Sequence, residues 1–274
     1  MGNALPVTSN SYAFDQFQPE YQKQEVERLK RKTNILAAVD QAAWQQADLT
    51  PHSRVLDLGC GSGSVTQRLA QAAYLGKVIG ADISDQLIQK ATSEYQGSNL
   101  KFEKADAYKL SFPDNYFDLV HARFLFQHLQ RPLNALQEIY RVLKPGGRLC
   151  VIDVDDHWFT LYPEPASIQP FRQQILSLQQ QKGGDPFIGR KLFSYLHTAR
   201  FLSVQNRIRI LSTDDYGTDR LISLLSFGAP YYKDNPEFVE TAQQARTDVY
   251  ETMKTARMWV SLGVFTATGQ KAEQ

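Results

Sequence analysis

The chain has 274 residues, 42% of them hydrophobic, and its 30 lysines and arginines face 29 acids for a formal charge of +1. That length and apolar content suit one large α/β domain with or without a small cap, and the balanced charge argues against nucleic acid as a partner. No apolar run approaches the ~18 residues of a membrane span, so no membrane partner is expected.

In chain order, residues 1–50 read as an N-terminal helical lid. Glu20–Arg31 is strongly charged, and Ile35, Leu36 and Val39 continue a helical apolar spacing toward Trp44. The dense basic cluster Arg28, Lys30, Arg31 and Lys32 reads as the solvated face of that helix. Tyr12, Phe14 and Tyr21 are available to line the lid, with plain packing the simpler role for each. The start of the chain lacks a signal-peptide pattern, and Pro6 stands where N-myristoylation after Met1-Gly2 needs Ser or Thr. Cys60 and Cys150 make no disulfide framework. A cytoplasmic chain is expected.

Residues 53–65 carry the most information. Val55, Leu56 and Leu58 form a short buried strand that runs into Gly59, Gly61 and Gly63, and a helix follows from about Ser64 to Ala73. Glycines there let the backbone turn tightly against a ligand, and the helix opens its N-terminus toward it. A dinucleotide fingerprint would need glycine at 64 or 66, where Ser64 and Thr66 stand, and no Gly-Lys-Ser/Thr marks a P-loop. The pattern is D-x-G-x-G-x-G, from Asp57.

Further along, Lys77–Ala81 reads as a second strand ending on Asp82, about twenty positions past the loop, where an acid can accept both ribose hydroxyls. A helix begins at Ser84-Asp85. A third strand near Leu100–Lys104 leads into Ala105-Asp106-Ala107, and Tyr116–Val120 gives a fourth. Leu136–Leu143, Lys144-Pro-Gly-Gly147 and Arg148–Val154 give a helix, a turn and a fifth strand.

Over residues 53–154 this succession resembles the class I S-adenosylmethionine-dependent methyltransferases. The resemblance implies a doubly wound α/β fold: a seven-stranded, mostly parallel Rossmann-like sheet whose last strand is antiparallel, with a helical cap. It implies S-adenosyl-L-methionine as cofactor, held by Asp57, Gly59, Cys60, Gly61, Gly63, Asp82, Ile83, Asp106, Ala107 and Arg123. Asp106 would face the adenine amino group. Cys60 reads as a small residue filling the turn rather than a nucleophile, with no histidine near it in sequence.

After the fifth strand, Asp153-Val-Asp-Asp-His157-Trp158-Phe159 should border the pocket, its acids and aromatics suited to orienting a polar acceptor in an apolar wall. Metal-dependent relatives draw an acid from the end of strand four, where this chain has His121-Ala-Arg123, so no metal is expected. Helices are expected at Ile168–Gln181, up to Ala199, around Asp219–Phe227 and at Pro236–Lys254. Phe201–Leu211 reads as strand six, and Arg257–Thr268 returns as strand seven beside strand five. The methyltransferase domain thus spans 51–274, with helical cap insertions at about 160–200 and 213–255. Asp185-Pro-Phe-Ile-Gly-Arg190 with the helix after it resembles bacterial small-molecule methyltransferases.

The chemistry implied is in-line displacement of a sulfonium methyl by an oxygen or nitrogen nucleophile of a small-molecule acceptor in specialised metabolism. If that nucleophile carries a proton, His128, His121, Asp153 and Asp156 are the candidate bases, although many relatives use none. Two alternatives stand beside this reading: methylation of a peptide or protein, and a non-catalytic cofactor-binding protein of the same fold. Nothing in the sequence specifies the acceptor or an oligomeric state.

Overall fold

The computed structural model describes residues 12–225, 227 and 235–273. Residues 1–11 of the expected lid, residue 226 of the expected helix around 219–227, and residues 228–234 of the second cap lie outside the described residues. A 3-10 turn at Phe14–Gln16 leads into α1 (Pro19–Ile35) and α2 (Ala37–Gln46), then β1 (Arg54–Leu58) and α3 (Ser64–Ala72). β2 (Lys77–Asp82), α4 (Asp85–Glu94), β3 (Leu100–Lys104), β4 (Phe117–Arg123), α5 (Pro132–Val142) and β5 (Leu143–Val154) follow. The remainder is β6 (Thr160–Tyr162), α6 (Ile168–Gln181), α7 (Ile188–Thr198), β7 (Leu202–Ser212), α8 (Thr213–Tyr216), α9 (Thr218–Ile222), α10 (Pro236–Thr255) and β8 (Trp259–Gln270).

The strands form one eight-stranded sheet in the order β3-β2-β1-β4-β5-β8-β6, with β7 also paired to β8. β1 to β5 run parallel, and β8 is antiparallel to β5, β6 and β7. This is the expected sheet with one strand more. β6 was not foreseen: Thr160 pairs Ser261 beyond the last β5 partner, Val154 with Val264, so β6 extends β5's edge of β8. It is too short to leave a period-2 signal.

Alternation along the strands builds two cores. Val55, Val78, Leu119, Cys150 and Ile152 face α2, α3, α6 and α10, while Leu56, Ile79, Val120, Leu149 and Val151 face α5 and α7. Burial on both faces is what parallel strands require. The expected cap at 160–200 divides. α7 packs on the sheet through the fully buried Ile188, Leu192 and Leu196, whereas Phe171 of α6 meets Phe227 and Phe238 of the second insertion at 5.6 and 6.0 Å.

The expected single N-terminal helix is two, broken at Leu36, which has left helical geometry (φ −90°, ψ 9°). Phe14, Phe17 and Val26 pack with Leu87 of α4, and Tyr21 lies against them. Two of the three aromatics expected to line the lid therefore anchor it, and Tyr12 alone reaches the pocket. The chain order reverses between β1, which winds on to β2, and β4, which winds on to β5. A crevice opens at that switch point, beyond the carboxyl ends of the strands.

Of the three left-handed glycines in the turn after β1, Gly61 and Gly63 are needed for different reasons. Gly63 (φ +85°) begins α3, and a Cβ there would stand 2.8 Å from the Phe102 ring and 2.9 Å from Ala91 Cβ. Gly61 (φ +55°) has open space, with only Leu29 Cδ1 at 3.8 Å. Gly63→Ala should therefore lose about 2–4 kcal/mol in urea unfolding from overpacking plus strain, and Gly61→Ala about 1 kcal/mol from strain alone. Equal losses would contradict this packing.

Candidate active site

The crevice is a cavity of about 650 Å³, within the range of small-molecule sites. Its floor is the glycine turn. Gly59 and Cys60 donate their N–H groups to the Ala81 carbonyl at 2.7 and 3.0 Å, which pins the turn to the end of β2. Gly61 N–H donates to Asp82 Oδ2 at 2.9 Å, and Ser84 N–H donates to Asp82 Oδ1 at 3.0 Å. Burial pushes the Asp82 carboxyl up from its ordinary range, opposed by those backbone donors. Ser84 caps α4 through Leu87 N–H at 3.1 Å and donates its hydroxyl to Asp15 of the lid.

Asp106 turns the next loop on itself, accepting from Tyr108 N–H at 2.9 Å. With Ile83, Ala105 and Ala107 it walls one end of the cavity. Apolar side chains, Phe159, Ile175, Leu224, Leu225 and Leu262 among them, also line the cavity, together with the polar Gln127, Gln179 and Asp156.

Asp57 lines the pocket but is almost fully buried at 2% exposure, and its side chain is spoken for. It meets His121 Nδ1 at 2.8 Å and accepts the Thr66 hydroxyl at 2.6 Å, tying β1 to β4 and α3. Its role at the cavity is to fix the turn's floor. Burial pushes the Cys60 thiol well above its ordinary range, with Asp82 and Asp57 adding to the effect.

The structure separates the four candidate bases. His121 has no exposed surface and does not line the cavity, because the alternation of β4 turns it under α2, where the Trp44 ring stands 6.1 Å away. Asp153 is equally buried and outside the wall, accepting from Val154 and Gln127 N–H at 2.9 and 3.2 Å. Asp156 lines the cavity with its carboxylate held by Arg172 at 2.6 Å. His128 lines it under the Tyr12 ring, 5.3 Å between centroids. Burial, then Lys32 and Arg28, push its pKa down to about 3, so its imidazole is neutral and very weakly basic.

Arg123, expected to bind a cofactor, is committed to the lid instead. Its Nη1 donates to both Asp40 oxygens at 2.9 and 3.1 Å, and its Nη2 donates to Thr33 Oγ1 at 2.7 Å. Arg68 reaches the same carboxylate at 3.2 Å. The basic cluster of α1 is corrected too. Arg28 and Lys32, one helical turn apart, line the cavity beside Leu29 and Thr33, while Lys30 pairs outward with Glu94 at 2.6 Å. The i, i+4 spacing of 28 and 32 was the available signal. Among the described residues, no three His, Cys, Asp or Glu side chains group as a metal site, and no helix is long and apolar enough to cross a membrane.

The comparisons agree with this geometry. Residues 56–151 match a family described as Methyltransferase domain. An uncharacterized methyltransferase, C1B3.06c, of Schizosaccharomyces pombe is 32% identical over 163 residues, covering 55% of this chain and 57% of that one. Demethylmenaquinone methyltransferase of Lactiplantibacillus plantarum is 34% identical over 58% of this chain and 66% of its own length. The ubiquinone/menaquinone biosynthesis C-methyltransferase UbiE of Ectopseudomonas mendocina is 39% identical over 38% and 42%. The chain thus spans between two fifths and two thirds of these curated relatives. Among solved structures, Haemonchus contortus phosphoethanolamine N-methyltransferase 2 in complex with S-adenosyl-L-methionine gives a TM-score of 0.62 at 16% identity, covering 95% of this chain and 60% of that one. The [4+2]-cyclase SpnF gives 0.57 at 20%, covering 86% and 82%. Such identities establish a shared fold.

Two expectations follow from the buried groups. Asp40→Ala leaves Arg123 and Arg68 facing an emptied site and should cost about 3–5 kcal/mol in urea unfolding; a loss under 1 kcal/mol would mean water replaces the carboxylate. The second concerns pH. His128 sits at about 3 against an ordinary 6.5, so the folded state binds fewer protons there and stability is lost as pH falls. Burial pushes Asp153 up to about 7 against 3.8, so the folded state binds more protons there and stability is lost as pH rises through 7. The two slopes oppose each other between pH ~4 and ~6.5. Relative to the native chain, His128→Gln should lose stability with rising pH by about 1.4 kcal/mol per unit, and Asp153→Asn should gain it. Parallel curves for all three proteins would refute both shifts.

Proposed function

Since the chain belongs to the class I S-adenosylmethionine-dependent methyltransferases through its domain at residues 56–151, we propose that it methylates a small-molecule acceptor enclosed beneath α1 and α6. One observation carries this reading. A single cavity is lined both by the glycine turn, Asp82 and Asp106 and by apolar side chains, Phe159, Ile175 and Leu262 among them.

The residues fit the cofactor. Gly61 leaves room where a Cβ would otherwise intrude, and Asp82 presents a carboxylate whose position two backbone N–H groups fix. In this reading Asp82 accepts the ribose hydroxyls, Ile83 covers the adenine, and Asp106 with the backbone at Ala107 receives its edge. Gly59, Cys60, Gly61 and Gly63 shape the turn around the amino-acid end. Asp57 and Arg123 act one step removed, by holding the turn and the lid.

When bound, the cofactor supplies a methyl group on a sulfonium, an excellent leaving group. The protein's part is alignment and the exclusion of water. Phe159, Ile175 and Leu262 present an apolar wall to the acceptor, and Gln127 and Gln179 offer it hydrogen bonds. His128 is too weakly basic to hold an abstracted proton. The acceptor is a mainly apolar or ring-bearing small molecule. The nucleophile set of oxygen and nitrogen widens to carbon, because one relative is named a C-methyltransferase. The cyclase among the structural neighbours supports a second reading, a ligand-binding or enzymatic role on this fold without methyl transfer.

Calorimetry with S-adenosylmethionine and S-adenosylhomocysteine separates the two. Saturable 1:1 binding of both is expected, with methyl mass gain on an acceptor when metabolite extracts are screened. Asp82→Ala should weaken binding on the order of 100-fold, as expected for two hydrogen bonds to a charged group. Unchanged affinity in that variant would remove the ribose assignment, and absence of binding to the native chain would remove the methyl-transfer reading.

A further inference from the structure

Among the described residues four cations touch the cavity, and three are accounted for. Arg28 pairs with Glu25 at 2.6 Å, Arg123 pairs with Asp40 at 2.9 Å, and Arg131 lies exposed over the Tyr108 ring. Lys32 is different. Its amine rests over the face of Phe124, 3.2 Å from the ring centroid, and among the described residues it forms no ion pair. That amine lies on a residue that lines the cavity.

Its surroundings sharpen the point. Arg28 and Glu25 face it from α1, Arg123 from β4, Asp153 from β5, and His128 from the 3-10 turn at Phe126–His128. The two arginines are neutralised by their own partners, and Asp153 gives its oxygens to backbone N–H groups. Burial, reinforced by Arg28 and Arg123, pushes the Lys32 amine well below its ordinary range. An anion arriving beside it would restore the charged form.

We propose that the Lys32 amine takes the proton of an acidic hydroxyl on the acceptor, a phenol or enol, and then pairs with the oxyanion. This rests on the methyltransferase reading and names its substrate class. The hydroxyl proton passes to Lys32 Nζ, giving an ammonium–oxyanion pair. The oxyanion forms its bond to the methyl carbon as the carbon–sulfur bond breaks, its electron pair staying on sulfur. If the carbon conjugated with the oxyanion attacks instead, that carbon then loses its proton to solvent. Once the oxyanion is consumed, the buried ammonium returns its proton to solvent. Lys32 is thus the catalytic residue that the expected bases did not supply.

The test uses para-nitrophenol, whose phenolate has its own visible absorption band, with the full chain saturated by S-adenosylhomocysteine. The bound phenol should ionise on the order of tenfold more readily than in buffer, a shift of about one pKa unit. Lys32→Gln should abolish that shift while leaving S-adenosylhomocysteine affinity within twofold by calorimetry. Lys32→Arg should keep the phenolate band, since it restores the charge. A phenolate band insensitive to Lys32→Gln, or no saturable binding of the phenol, would overturn the proposal. So would a tenfold loss of S-adenosylhomocysteine affinity in that variant, which would assign Lys32 to the cofactor's carboxylate. Failure of the native chain to bind S-adenosylhomocysteine would instead strike the methyltransferase reading itself.

Discussion

Asp40 is a carboxylate with no exposed surface, and its two oxygens receive Arg123 and Arg68 together. Arg123 also holds Thr33, and Arg68 also reaches the carbonyls of Thr33 and Ala37 at 3.3 Å. One buried anion thereby joins α1, α2, α3 and β4. An ion pair this deep is tolerable only when its hydrogen bonds are satisfied, because desolvation otherwise exceeds the attraction. Here the oxygens of Asp40 and both terminal nitrogens of Arg123 are engaged. The lid's position over the glycine turn follows from that knot. So does the direction in which α1 points Arg28 and Lys32.

The cavity is lined by charges of both signs. Asp82 and Asp106 reach it from β2 and the loop after β3 and Asp156 from beyond β5, while Arg28, Lys32 and Arg123 reach it from α1 and β4. The low-dielectric interior between them moves protons in opposite senses, keeping Asp153 protonated to about pH 7 and His128 neutral to about pH 3. Side chains there carry little net charge of their own. Charge that a ligand brings is met by groups already in place, which is how an enclosed site stabilises developing charge without reorganising.

Much of this was legible in the chain. β1, β2, β3 and α6 fall where their patterns put them, because each is specified locally: apolar runs bounded by glycine and acid, or a helical apolar period with a clear stop. The cavity's floor was legible for the same reason. The lid was not. A run of four basic residues on a helix looks solvated, and nothing within α1 says that the cavity lies beside Arg28 and Lys32 while Glu94 waits outside for Lys30. β6 is three residues long, too short to announce itself.

What the sequence by itself determined is the order of strands and helices, the glycine turn and the acids at the ends of β2 and β3, since these depend on backbone freedom and on period-2 burial. Tertiary structure decided which polar side chains face the cavity. His121 and Asp153 stand close to residues that line the cavity, Arg123 and Val154, and only the packing of α2 and the 3-10 turn shows that they themselves do not. Arg123 looks free in the sequence and is spent on Asp40, 83 residues earlier. Charge pairing across such distances has no local signature, because it is set by which elements the core brings together.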